Sequence, residues 1–572
     1  MSTPGFDALT CWGDGLLWVQ ADEQGCGLMA WSRSSGTTRL TPPEVEVGNI
    51  VHAYGGGAFA AGPGRIWYVD ATDGQLQTLA VQEPNAEPTP LTGGQQAGSG
   101  DLIYYDGELL GVQEGEHGDT VTAWDTSNGL ARTLLTSSGF LAAPRLAPGR
   151  LAWLTWGQDA MPWDSAELWC ADYHPGGVPI GAVLVAGGPD EAVAEPRWGP
   201  DGSLYFMSDR SGWMNLHRWD GTSVRSVASM DAECAAAPWE LGYASYTFLP
   251  DHRIAMIARR GTLDQLVLVE QEGVRELELP FTSIKPYMAT VGDHVAMIAA
   301  TPITAPAVVV VDPDGSFVII AGQSPVPSAP RPTTGHTAGG VTYLLHRPST
   351  SLAGPLPLIV RAHPGPTDGI TYRRDAFIDF FTHNGFAIVD VAYRGSTGFG
   401  RAFRRSLYGR WGLDDVADCA EVAEHLLATG TTTPGSVFIA GASAGGYTAL
   451  HAVCAAGPFA AAIARSPIID PKSWAATVPR FQRAHAVALD GGGGRVRSEA
   501  IRKPVLLVHG ANDPITSAAD TLALAHDLQD RRSSVELLLL DTESHTLSAP
   551  HLAEAVLDAE LRFLRAMMRS ER

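Results

Sequence analysis

The feature that most constrains this chain is a change of grammar a little past its middle. Over the first 323 residues, short strand-like runs are separated by Asp-Gly or Asn-Gly pairs, beginning at Asp73, Asp106, Asn128, Asp201, Asp220 and Asp314. Such pairs readily adopt the positive φ angles of tight hairpin turns. Runs such as "GRIWYVDATDGQLQTL" and "APAVVVVDPDGSFVII" carry almost no helical periodicity. At roughly 40–45 residues per four-stranded unit, the region holds about seven blades of a β-propeller. A pair of β-sandwiches is the alternative.

A proline-rich connector follows at residues 324–335, "SPVPSAPRPTTG". Pro325, Pro327, Pro330 and Pro332 exclude helix and central strand there. From residue 336 to 572 the pattern becomes strand, loop, helix. Apolar strands are expected at Leu358–His363, Phe386–Ala392, Val437–Gly441, Val505–His509 and Val535–Leu540. Between them, Val416, Cys419, Ala423, Leu426 and Leu427 share one helical face before Gly430 stops the helix. Further helices are expected near 517–529 and 551–567. This alternation predicts a parallel sheet covered on both faces. The expected architecture has two domains, a β-propeller (1–323) and an α/β-hydrolase domain (336–572).

The bulk properties exclude several roles. Lys and Arg total 39 against 62 Asp and Glu, a net charge of −23. Such a surface repels nucleic acid and anionic membranes, so neither is an expected partner. The start "MSTPGFDALTCWGDG" shows no basic and apolar leader pattern, and the six cysteines form no C-x-x-C pair. A cytoplasmic location with reduced, mostly buried thiols is the expectation. No His, Asp and Cys cluster has metal-ligand spacing, so neither a metal nor an organic cofactor is expected.

Chemistry concentrates at "VFIAGASAGGYTALHAV", residues 437–453. G-A-S-A-G at 441–445 lies between an expected strand and a helix-compatible run, the context of a nucleophile elbow. Small residues placed for close packing are the plain alternative. A serine nucleophile needs a base, and the base needs an orienting acid, in loops after later strands. Asp513 in "HGANDPITS" and His545 in "DTESHTLSAP" occupy such loops in the order Ser, acid, His. Asp541 is the second choice for the acid. His509 precedes the acid, and His526 and His551 fall on expected helices. For the oxyanion, the expected donors are the backbone N–H groups of Ala444 and Gly365, since Pro364 has none.

Together these segments resemble the prolyl oligopeptidase family of serine peptidases, in particular its acylaminoacyl-peptidase and dipeptidyl-aminopeptidase branch. The resemblance rests on "HPGP" (363–366), "YRGSTGFG" (393–400), "GRWGLDDVAD" (409–418), "GASAGGY" (441–447), "RSPI" (465–468), "HGANDP" (509–514) and "ESH" (543–545). In the first half it rests on "VHAYGGGAF" (51–59), the stretch 151–169, "RWGPDGSLYFMSDRSGWMNL" (197–216) and "PWELGYASYTFL" (238–249). The family match implies the triad Ser443, Asp513 and His545 and the Gly365/Ala444 donors. It also implies a pocket beside the serine, for which Tyr447, Trp474 and Phe481 are candidates, with core packing the alternative for the last two. A propeller over the active-site face would exclude folded proteins and admit short peptides or small amides. An aminopeptidase must anchor a protonated amine, and Asp164, Glu167, Glu233 and Glu240 are the candidate carboxylates. Two departures stand out: Pro364 where related sequences read glycine, and Ala53 where they read glutamate.

The function expected is a serine exopeptidase or aminoacyl-amide hydrolase working through an acyl-enzyme on Ser443. The departures motivate an alternative, a tailoring hydrolase, transacylase or cyclase acting on an aminoacyl group of a secondary metabolite. A propeller interaction module with a vestigial hydrolase is the third reading, weighed down by retention of all three triad residues. Association with further copies of the chain is left open.

Overall fold

The computed structural model describes residues 4–81, 87–93, 98–322, 330–349 and 354–570. The chain divides into two compact units, one of Met1–Thr301 with Ala305–Ser324 and one of Pro302–Thr304 with Pro325–Arg572. Gln323 and connector residues 324–329, with Pro325 and Pro327, lie outside the described residues.

The first unit is a seven-bladed propeller. Its seven four-stranded antiparallel sheets span residues 5–39, 59–90, 99–137, 140–188, 193–226, 246–276 and 283–321. Apolar side chains of neighbouring blades interlock. Phe6, Leu16 and Trp18 of the first blade pack against Tyr287, Ile298 and Val308 of the last, and Lys285 Nζ of the last blade binds Asp7 of the first at 2.6 Å, which together close the ring. Six positions bend the chain at or just before the innermost strands through a positive φ. They are Ala8, Asp101, Ala143 and Glu195 (50–53°), with Gly57 (58°) and Gly242 (80°). Of the six cysteines, none forms a disulfide; Cys170, Cys234 and Cys419 are buried, whereas Cys11 is exposed.

The second unit is a three-layer α/β domain. Its strands are β1 (Thr333–His336), β2 (Thr342–His346), β3 (Leu358–Ala362), β4 (Ala387–Ala392), β5 (Val437–Ala442), β6 (Ala461–Arg465), β7 (Val505–Gly510) and β8 (Val535–Leu540). They align in the order β1-β2-β4-β3-β5-β6-β7-β8. The six strands from β4 to β8 in that order are parallel, but β1 and β2 form an antiparallel hairpin that joins β4. The expected all-parallel sheet is therefore mixed. Three strands had no expectation: the hairpin pair and β6. The connector's last residues, Thr333–Gly335, belong to β1, an edge strand that tolerates the nearby Pro332.

Helices cover both faces. α1 (Ala376–His383) and α7 (Pro550–Ser570) bury Ile378, Phe381, Phe563 and Leu564 against one face. α2 (Asp414–Ala428), α3 (Ala444–Ala452), α4 (Pro471–Thr477), α5 (Arg483–Leu489) and α6 (Ala518–Asp530) lie against the other. Strand side chains alternate between the two cores: Leu358 and Val360 face one, Ile359 the other. In α2 the buried stripe is Cys419, Val422, Ala423 and Leu426, with Val416 and Leu427 at its margin, and Gly430 follows at φ 72°. α3 is apolar and buried almost all round, as a helix inside a domain must be.

Candidate active site

Ser443 sits between β5 and α3 with φ 53° and ψ −117°. A non-glycine residue there stores about 1–3 kcal/mol of backbone strain, which the surroundings must hold. The two glycines of the motif make that possible. A Cβ on Gly441 would lie 2.1 Å from the Gly445 carbonyl oxygen, and one on Gly445 would lie 2.2 Å from that of Ala362. Any side chain at either position would push α3 off the ends of β3 and β5. The turn is tied down by Ser443 N–H donating to Arg465 O (2.9 Å), and Gly446 N–H donating to Ser443 O (3.0 Å).

His545 follows β8 and Asp513 follows β7. His545 Nδ1 lies 2.7 Å from Asp513 Oδ2. Asp513 is fully enclosed and receives further donors: Thr516 Oγ1 on Oδ2 (2.9 Å), and the N–H groups of Ile515 (2.8 Å) and Thr516 (3.1 Å) on Oδ1. Burial alone would raise its pKa, but the facing His509 and His545 and the backbone donors outweigh it and hold the carboxyl far below its ordinary range. Asp541, the alternative acid, is exposed, and it is Asp513 that faces the imidazole.

The nucleophile and the base are tethered to consecutive residues. Arg465 O holds the Ser443 amide, while Ser466 Oγ donates to His545 O at 3.0 Å. Ser466 O in turn accepts from Thr516 Oγ1 at 3.2 Å. The "RSPI" segment therefore locates the serine, the base and the acid loop together. His509, set aside in the sequence for its place before the acid, lies buried beneath Asp513. Its Nε2 is 3.5 Å from Asp513 Oδ2 and its Nδ1 is 2.8 Å from Thr521 Oγ1. Ser466 and His509 lie in the family-like segments "RSPI" and "HGANDP" but were assigned no role from the sequence, and Thr516 carried no motif signal.

Gly365 adopts φ 118° in the loop after β3, the left-handed region that favours glycine. The loop is clamped by "YRGS": Tyr393 OH donates to His363 O (2.6 Å), its ring stacks on His363 at 4.1 Å, and Ser396 Oγ lies 2.7 Å from His363 Nε2. Thr367 Oγ1, further on, meets His485 Nε2 at 3.2 Å. Ala444 opens α3, where a first-turn N–H has no intrahelical acceptor. "GRWGLDDVAD" holds α2 to this helix: Trp411 packs on Tyr447 at 4.0 Å, and Asp415 accepts from Thr448 Oγ1 (2.5 Å) and Gly412 N–H (2.7 Å). Burial pushes the Asp415 pKa up to about 6.

The three candidate pocket aromatics are all buried. Tyr447 donates to Gly494 O at 2.7 Å, Trp474 Nε1 donates to Ile515 O at 3.0 Å beside the acid loop, and Phe481 is 2% exposed. In the propeller, rings draw the family-like segments together: Trp163 lies 4.6 Å from Trp239, and Tyr54 lies 5.4 Å from Trp239. The segments bearing Asp164, Glu240 and Ala53 thereby meet. Glu240 accepts from Tyr287 OH at 3.0 Å, and burial raises its pKa. Glu167 accepts from Trp169 Nε1 (2.9 Å) within its own blade, and Glu233, in the segment between two blades, accepts from Met214 N–H (3.0 Å). A carboxylate not foreseen from the sequence, Glu114, accepts the His52 N–H at 2.8 Å, one residue from Ala53.

A serine on a strand-to-helix turn, with Asp and His at the ends of later parallel strands, defines an α/β-hydrolase of the Ser–His–Asp type. Residues 373–571 match the model of the prolyl oligopeptidase family. Dipeptidyl aminopeptidase BIII of Pseudoxanthomonas mexicana is 27% identical over 216 residues, 34% of this chain. The match spans 31% of that relative's length. A puromycin hydrolase structure superposes with a TM-score of 0.91 at 26% identity, covering 99% of this chain and 95% of that one. A puromycin-hydrolyzing peptidase of Mycobacterium tuberculosis gives 0.90 at 25% identity, covering 98% and 94%.

Proposed function

We propose that this protein is a serine peptidase that cleaves short peptides or aminoacyl amides through an acyl-enzyme on Ser443. The observation that carries the reading is the 2.7 Å contact between His545 Nδ1 and a buried, ionised Asp513. That contact keeps the Nδ1 proton on the acid side, so Nε2 is free to accept the Ser443 proton. Ser443 Oγ attacks the amide carbonyl, and the N–H groups of Gly365 and Ala444 receive the oxyanion. His545 then protonates the leaving amine, and water repeats the sequence to release the acyl group.

The relatives support this bond class: one is a dipeptidyl aminopeptidase and two hydrolyse puromycin, itself an aminoacyl amide. Amine recognition by the propeller carboxylates, restriction to short substrates and a cytoplasmic location belong to the same proposal; the six unpaired cysteines support the last. Ser443→Ala should abolish turnover of aminoacyl-arylamides while leaving the unfolding temperature near that of the parent. Full activity in that variant would refute the proposal.

A further inference from the structure

On the α1/α7 side of the sheet, a cavity of about 520 Å³ lies beside the oxyanion loop. His363, Pro364, Gly441 and Ala442 form part of its wall, so it begins one residue from both Ser443 and Gly365. Three guanidinium-bearing residues also line it, Arg361, Arg373 and Arg465. Two of them are neutralised. Arg361 binds Asp375 at 2.7 Å and Asp390 at 2.8 Å, and Arg465 is held by both carboxylate oxygens of Glu560. Arg373 differs. Its Nη1 donates to the Arg374 carbonyl at 3.3 Å, and among the described residues no carboxylate comes within ion-pair distance of it.

The acids around the cavity are otherwise engaged. Asp375 and Asp390 serve Arg361, and the exposed Asp368 accepts the Gly369 N–H at 2.8 Å. Burial lowers the Arg373 pKa, against the pull of Asp375, Asp368 and Asp390. A half-buried guanidinium with no carboxylate at ion-pair distance can still take one, and its planar fork matches a carboxylate. The site is also two-sided. Tyr447 and Trp474, the candidates for the acyl side of the pocket, lie with Trp411 and α3 on the opposite face of the sheet. The cavity is left for the departing half of the substrate.

We propose that Arg373 binds the free carboxylate of the leaving amino acid or short peptide. The protein then prefers substrates whose C-terminus is unblocked and close to the scissile bond. The inference rests on the peptidase reading and adds the substrate class. The test uses pairs of dipeptides and tripeptides sharing one acyl half, each as free acid and as C-terminal amide. Wild type should show kcat/KM at least about tenfold higher for the acids, the scale of one charge-assisted hydrogen bond. Arg373→Met should bring the ratio close to one, and Arg373→Lys should retain part of it. Because the readout is a ratio within one preparation, partial misfolding does not mimic the effect. Equal rates for acid and amide in wild type, or an unchanged ratio in Arg373→Met, would overturn the proposal. An aminoacyl-arylamide, whose leaving group has no carboxylate, separates the two ideas. Its turnover with equal acid and amide rates sinks the Arg373 assignment alone; no cleavage of any substrate sinks the peptidase reading and this inference with it.

Discussion

Asp513→Asn is the sharpest perturbation of the site, because the structure dictates which way the new amide must face. Oδ1 of Asp513 is held by two backbone donors, Ile515 N–H at 2.8 Å and Thr516 N–H at 3.1 Å. An amide oxygen satisfies both; an amide NH2 satisfies neither, and turning it there would strand two buried N–H groups at about 1–3 kcal/mol each. The amide nitrogen therefore takes the place of Oδ2 and points at His545 Nδ1, now 2.7 Å from a carboxylate oxygen. Two donors cannot face each other, so the imidazole proton moves to Nε2, the atom that must receive the serine proton. The substitution is close to isosteric, yet kcat should fall by about 10⁴-fold, equivalent to a barrier increase of about 5–6 kcal/mol. Initial rates on an aminoacyl-arylamide, alongside thermal unfolding, measure this. A variant within about tenfold of wild type would refute the assigned acid and the tautomer argument together.

Two further outcomes follow from local geometry. Gly445→Ala places a methyl 2.2 Å from the Ala362 carbonyl oxygen, backbone against backbone; it should cost about 1–3 kcal/mol of stability and suppress labelling of Ser443 by a fluorophosphonate probe, and wild-type labelling would contradict the close-packing argument. Asp415, with its pKa raised from 3.8 to about 6, favours the folded state when protonated. Its contribution to stability is present below the unfolded pKa and lost as pH rises through about 6, a loss of about 3 kcal/mol. The difference in unfolding free energy between wild type and Asp415→Asn, measured at pH 4 and pH 8, should change in that direction; a pH-independent difference would remove Asp415 as its source.

What was legible in the sequence is what local chemistry encodes. Asp-Gly and Asn-Gly pairs need particular φ angles wherever they occur, so their spacing revealed a propeller without any long-range knowledge. The G-A-S-A-G turn was legible for a similar reason at Gly441, which answers a steric demand from Gly445 within five residues, whereas Gly445 answers one from the distant Ala362. β6 was not: Ala461–Arg465 is three-fifths alanine and sits in the run "AAAIARSP", whose weak strand propensity is overridden by burial between β5 and β7. The choice between Asp513 and Asp541 also exceeded the sequence, because both follow strands and only the path of the chain brings one to His545. Arg373 had no signal at all, since its distinction is that no carboxylate among the described residues reaches ion-pair distance of it, a property of packing and not of residue order.

The same limit explains how the parts of the site stay in register. The strained Ser443 hangs from Arg465, while His545 and the acid loop hang from Ser466, the next residue, which itself has φ 39°. Side chains of successive strand residues point to opposite faces, so a one-residue slip of β6 would detach the nucleophile and the base at once. Ser466 N–H donates to Val508 O at 2.7 Å on β7, and Arg465 is locked to the buried Glu560 of α7. These two anchors, one on each side of the same peptide bond, fix the register from opposite directions. The segment "RSPI" is thus tied to catalysis without contributing a reacting atom, because the distance between serine and histidine is set by the covalent spacing of residues 465 and 466.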